Sequence, residues 1–145
     1  AGNGCSRIRS LEIEGTVGHL SPLGGLTHLD GSLWIHDVPE LVSLSGLNRL
    51  RSIGTSLAIW NSENLASLDG LENITAIGKD NLGNSIWINN VPTLQSLSGL
   101  RGLAGALPGA LNIVNAARLA SLHGLENITT IGSTDNNGHS IWLAN

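Results

Sequence analysis

The sequence predicts a mainly β fold, a right-handed parallel β-solenoid of about six coils of 22–30 residues. Three observations predict it. Residues 32–47 recur as 85–100, at an offset of 53, and residues 65–75 recur as 119–129, at an offset of 54. Self-similarity on this scale is the mark of a solenoid. Leucines and isoleucines follow one another at a spacing of three, as at Leu41, Leu44, Leu47, Leu50 and Ile53. Finally, the chain is 41% hydrophobic but only 3% aromatic, with no Phe, Tyr or Met. An irregular core uses such side chains to fill gaps, whereas identical layers of Leu and Ile do not need them.

Each long repeat holds two shorter ones. Strands are expected to start at Leu11, Leu33, Leu57, Ile86, Leu111 and Ile141, in steps of 22, 24, 29, 25 and 30 residues. In the coil from Leu33, Leu33 and Ile35 alternate with Trp34 and His36, a period of two that turns one face inward. The run from Leu41 to Ile53 does not suit an α-helix, on which steps of three drift by about 60° each. A chain bending at successive corners keeps all five inward. Gly46, Gly70, Gly99 and Gly124 stand just before the matching leucines, where a corner calls for unusual φ; Gly54, Gly78 and Gly132 close their coils. Two residues beyond the second inward strand position come Asp37, Asn61, Asn90, Asn115 and Asn145. Alternation points this column inward, where stacked amides could satisfy backbone groups of the turn.

The pattern Ser56-Leu57-x-Ile59-x-Asn61, then Leu65-x-Ser67-Leu68-x-Gly70-Leu71, then Ile74-x-x-Ile77-Gly78 resembles the receptor L domain, a leucine-rich β-helix of receptor ectodomains and microbial surface proteins. The resemblance covers nearly the whole chain. It implies an extracellular or cell-surface setting and a leucine-rich solenoid, and it transfers no catalytic or ligand-binding residue. The single cysteine and the regular coils depart from the hormone receptors and favour a repetitive surface protein. Residues 1–145 read as one domain and as a segment of a longer protein. Cys5 has no internal partner, so a disulfide would be intermolecular or to a segment outside this chain; a free or buried thiol is the other reading.

Several functions fit the composition poorly. A net charge of −4 with seven scattered Lys and Arg gives no basic field for nucleic acid. No apolar run approaches the roughly 18 residues of a membrane span. The five histidines show no metal-ligand spacing, so neither a metal nor a cofactor is expected. The serines repeat at turn positions, whereas a catalytic side chain should break the repeat. The one close acidic pair on an outward strand face is Glu12 and Glu14, in the irregular first coil, and the chain is not expected to be an enzyme. The turn of residues 135–138 has a composition that can hold Ca²⁺ but more often only makes a turn.

The four aromatic residues are all Trp. Trp34, Trp87 and Trp142 take the same outward strand position in alternate coils, Ala58 and Asn112 fill it between them, and Trp60 lies one outward position further on. An outward apolar strip marks an interface. The first expectation is therefore a non-catalytic structural or adhesive module that presents its Trp-bearing sheet to a protein neighbour or to a copy of itself. The alternative is a carbohydrate-binding module using the same row, because indole faces stack on the apolar faces of pyranose rings. The bland alternative is that the loops of the longer coils, 79–84 and 133–139, cover the rings. Asn73-Ile74-Thr75 and Asn127-Ile128-Thr129 are N-glycosylation sequons. Their isoleucines belong to the inward set, which leaves Asn73 and Asn127 outward and accessible.

Overall fold

A computed structural model of the chain describes residues 5–132 and 134–145. Its strands in chain order are β1 (Arg7–Ile8), β2 (Leu11–Glu14), β3 (His28–Leu29), β4 (Leu33–His36), β5 (Ser52–Ile53) and β6 (Leu57–Trp60). They continue as β7 (Ala76–Ile77), β8 (Asn84–Asn89), β9 (Gly105–Leu107), β10 (Ala110–Val114), β11 (Ile128–Ile131) and β12 (Ile141–Ala144). The only helical pieces among the described residues are two 3₁₀ turns, Ser21–Leu23 and Ser98–Leu100. The chain is a mainly β, parallel β-solenoid of about five turns.

The main sheet has six parallel strands in the order β2-β4-β6-β8-β10-β12. Six rungs enclose five turns, which reconciles the six expected strand starts with the turn count. The pairing follows the expected starts: Leu11, Leu33, Leu57, Ile86, Leu111 and Ile141 form one inward column. Ile13, Ile35, Ile59, Ile88, Ile113 and Leu143 form the next. A second parallel sheet, β1-β3-β5-β7, and the pair β11-β9 form the other walls. In the central rungs the inward residues are shut off from solvent; at β12, Ile141 and Leu143 are exposed.

The spacing of three has a simple origin. Leu47 N–H donates to Leu44 C=O and Leu50 N–H to Leu47 C=O, at 3.1 and 2.9 Å. The same bonds recur from Leu71 to Leu68 and from Ile74 to Leu71 in the next coil, and from Leu100 to Leu97 and from Leu103 to Leu100 in the one after. Each is a β-turn closed between residues three apart, and the turns follow end to end, so every third side chain enters the core. Leu41, Leu44, Leu47, Leu50 and Ile53 are all buried.

Two expectations need correction. The Asp/Asn column is exposed, not inward. Asp37, Asn61, Asn90 and Asn115 follow the strand ends with φ of 49–55°, the left-handed conformation that Asn and Asp tolerate better than other side-chain-bearing residues. That conformation breaks the strand alternation and swings the side chains outward. There they bond to each other more than to the backbone: Asn61 Nδ2 donates to Asp37 Oδ1 at 3.2 Å, and Asn90 Nδ2 to Asn61 Oδ1 at 3.0 Å. Asn145 alone serves the backbone, accepting from Ala116 N–H at 3.0 Å. The second correction concerns Gly99. Gly46, Gly70 and Gly124 have φ of +113 to +118°, but Gly99 lies in a 3₁₀ turn without positive φ. It is needed for space, since a Cβ there would overlap the Leu68 carbonyl of the coil beneath.

Candidate functional site

Pairing in the main sheet aligns Glu12, Trp34, Ala58, Trp87, Asn112 and Trp142 across six strands. The neighbouring outward column is Glu14, His36, Trp60, Asn89, Val114 and Ala144. All four tryptophans therefore lie on one face, as the sequence implied, and they line one open cleft of ≈ 500 Å³. Trp34 is 44% exposed and Trp142 38%, while Trp60 and Trp87 are half-buried. Trp60 stacks flat on His36, with ring centroids 4.2 Å apart and planes at 5°. It meets Trp87 at 5.6 Å with a 43° tilt. Trp142 stacks on His139 at 5.2 Å. Among the described residues Trp34 has no aromatic partner.

The walls of the cleft come from the extra residues of the two long coils. Asp80 Oδ1 accepts the N–H groups of Leu82 and Asn84, both at 2.9 Å. Fifty-five residues on, Asp135 Oδ1 accepts those of Asn137 and His139 at 2.9 and 2.8 Å. Gly83 and Gly138 take matching φ of +85 and +86°. One loop design is thus used twice, each time just ahead of a Trp-bearing strand. The loops flank the rings without covering them. Ser133, in the second expected loop, lies outside the described residues. The backbone amides account for Asp135 Oδ1, as in an ordinary Asx turn.

Between Trp87 and Trp142 the loops meet the sheet through Asn112. Its Nδ2 donates to Asn84 Oδ1 at 2.7 Å and to Asp135 Oδ2 at 2.9 Å. Its Oδ1 has no hydrogen-bond partner although the residue is only 3% exposed. Asp135 is held below the usual carboxylate range, first by the His139 N–H and then by those of Asn137 and the Asn112 amide, against the opposing effect of burial. Sequence reasoning placed Asn112 in the column but assigned it no role. The signal was there: it is polar at an outward position that otherwise carries Trp or Ala, and it follows a coil five residues longer than its predecessor.

At the other end of the row, His36 Nδ1 donates to Asp37 Oδ2 at 2.8 Å and Nε2 to Glu12 Oε1 at 2.9 Å; Glu14 Oε2 is 3.9 Å from Nε2. These carboxylates, Asp37 first and then Glu12, raise the His36 pKa above its ordinary value. Glu12, Glu14 and His36 offer ligand atoms within 4.8 Å of one another, the spacing a metal ion could use, though carboxylates already engage both ring nitrogens. The sequence reading paired the two glutamates but missed the histidine, 22 residues from Glu14.

The remaining candidates lie elsewhere. Asn73 and Asn127 are exposed, as are Thr75 and Thr129, with Ile74 buried and Ile128 half-buried. Asn73 Nδ2 donates to Asn48 C=O at 2.6 Å, a stitch to the coil beneath. Cys5 is a free, exposed thiol whose Sγ–H donates to Arg7 C=O at 3.0 Å. No helix among the described residues is long and apolar enough to cross a membrane.

No family model, curated protein or solved structure matches this chain.

Proposed function

We propose that the chain is a non-catalytic, extracellular carbohydrate-binding module on a solenoid of the leucine-rich, receptor-L-domain type. One observation carries this reading: the four indoles floor a single open cleft whose walls are amides and carboxylates, Asp80, Asn84, Asn112, Asp135, Asn136 and Asn137. Apolar rings bind the flat faces of a sugar and polar groups its hydroxyls. A protein-docking core is instead depleted in charge. The absence of catalysis rests on Asp135. Glycoside hydrolysis needs a carboxyl whose pKa is raised so that it can act as an acid, whereas Asp135 is held ionised by three N–H donors and an amide. The extracellular setting rests on the resemblance.

The test is retention on a panel of insoluble polysaccharides and on a glycan array, with Trp87→Ala and Trp34→Ala beside the wild type. Retention by the wild type, lost in both variants while their circular dichroism is unchanged, is expected. Equal retention in all three would remove the cleft from consideration.

A second reading, assembly with a protein neighbour or with a copy of this chain, is favoured by the exposed Ile141, Trp142 and Leu143 of the edge strand β12. Apolar edge strands recruit other strands. Concentration-dependent association in sedimentation, abolished by Leu143→Lys but not by Trp34→Ala, would support it.

A further inference from the structure

Resting on the carbohydrate reading, we propose that the ligand is a neutral, extended β-linked polysaccharide that lies along the solenoid axis and spans all three rings of the Trp34 column. The coil period carries the argument. Trp34, Trp87 and Trp142 occupy one outward column on every second strand. Parallel strands lie about 4.8 Å apart, so successive rings are about 10 Å apart and the outer two about 20 Å. An extended β-linked chain in which alternate sugars present the same face repeats at about this 10 Å spacing along its length. The protein and polymer thus share a period, and each ring receives every second sugar. A monosaccharide site has no need of this: one ring and one wall suffice.

The positions between the rings define the chemistry further. Ala58, between Trp34 and Trp87, is small and nearly buried, and leaves room for the intervening sugar. Asn112, between Trp87 and Trp142, has both Nδ2 hydrogens committed to Asn84 and Asp135 and an unpartnered Oδ1. A buried acceptor without a donor is costly. It is satisfied by a ligand group that donates, a hydroxyl or an acetamido N–H. Charge selects among polymers. The cleft carries Asp80 and Asp135 and no Lys or Arg, and Glu12 and Glu14 extend the same two columns beyond Trp34 and His36. A uronate or sulfated chain would meet like charge along its whole length, with no cation to pair it.

The experiment is calorimetric titration of the full chain with β1,4-linked oligosaccharides of two to six residues in four series: glucose, N-acetylglucosamine, mannose and galacturonate's α-linked acidic counterpart as the charged control. One neutral series is expected to gain roughly tenfold or more in affinity between the disaccharide and the tetrasaccharide, then level off once all three rings are covered. Trp34→Ala, at an exposed position, leaves two rings about 10 Å apart and should bring that plateau forward to the di- or trisaccharide. Preference for the N-acetylglucosamine series over glucose identifies the donor facing Asn112 as an amide, and the reverse identifies a hydroxyl. Affinity independent of length in every neutral series, or a plateau that Trp34→Ala leaves in place, overturns the spanning mode while the carbohydrate reading stands. Tighter binding of the acidic series overturns the neutral class. Silence in all four series overturns this inference, and it overturns the carbohydrate reading as well only if the polysaccharide panel is also silent.

Discussion

His36 shows how one side chain is fixed by groups the local sequence supplies only in part. Asp37 is its chain neighbour, Glu12 lies across the strand pair, and Trp60 covers its ring from the next coil. Both nitrogens donate to carboxylates, so the charged imidazolium is favoured and its pKa is raised from 6.5. A cation over an indole face adds to the same preference. Because the folded pKa lies above the unfolded one, this contribution is complete below the unfolded value and is lost as pH rises through the folded value. Asp37 behaves in the opposite sense: its pKa is lowered, first by His36 and then by Asn61, so its contribution is lost as pH falls through the folded value. The pair is strongest between those limits. Resistance to urea should therefore be greater near about pH 6 than near about pH 8. An NMR titration should place the His36 midpoint above 6.5. Glu12→Gln should lower that midpoint and shrink the pH effect; a midpoint unmoved by Glu12→Gln would show that the ion pair does not form.

The turn-by-turn wall is the element in which sequence and structure agree most closely. A spacing of three that an α-helix could not use was legible because every turn returns its first and fourth residues to the core. Gly70 shows what the corner demands. Its φ is +117°, and a Cβ there would overlap the Leu44 carbonyl of the coil beneath. Gly70→Ala is expected to cost at least roughly 2 kcal/mol, from backbone strain and from prising two coils apart. Gly25→Ala, where added bulk meets nothing within 4 Å and φ is not positive, is expected to stay within about 0.5 kcal/mol. Urea denaturation of the pair measures the difference, and equal costs would deny the close approach of the coils. The Asp/Asn column was legible as a column, but its direction was not. Strand alternation extrapolated one residue too far, into a left-handed turn that only backbone geometry reveals. The cleft was legible in half: periodicity aligned the rings, but the side-chain triad of Asn84, Asn112 and Asp135 joins residues 23 and 28 apart and depends on how two loops fold back. No repeat states that.

A solenoid has no central core shared by all its residues; each rung is supported by the rungs on either side. Position along the axis, more than residue type, therefore sets what a core side chain contributes. Ile59 and Leu143 belong to the same inward column. Ile59 lies between two rungs and is fully buried, whereas Leu143 has a rung on one side and is 50% exposed. Ile59→Ala is expected to cost about 2–5 kcal/mol, the range for a truncation that leaves a cavity in a packed interior. Leu143→Ala should cost less than about 1 kcal/mol, since little of its surface is withdrawn from water and no closed cavity forms. The same gradient should appear in amide exchange, with β12 opening more readily than β6 because its outer edge has no strand among the described residues. A polymer bound from Trp34 to Trp142 would tie that last rung to the middle of the stack. It should slow exchange in β12 more than in β6, where protection is already high. Uniform slowing across all six rungs would mean that the ligand stabilises the fold as a whole without bridging its coils.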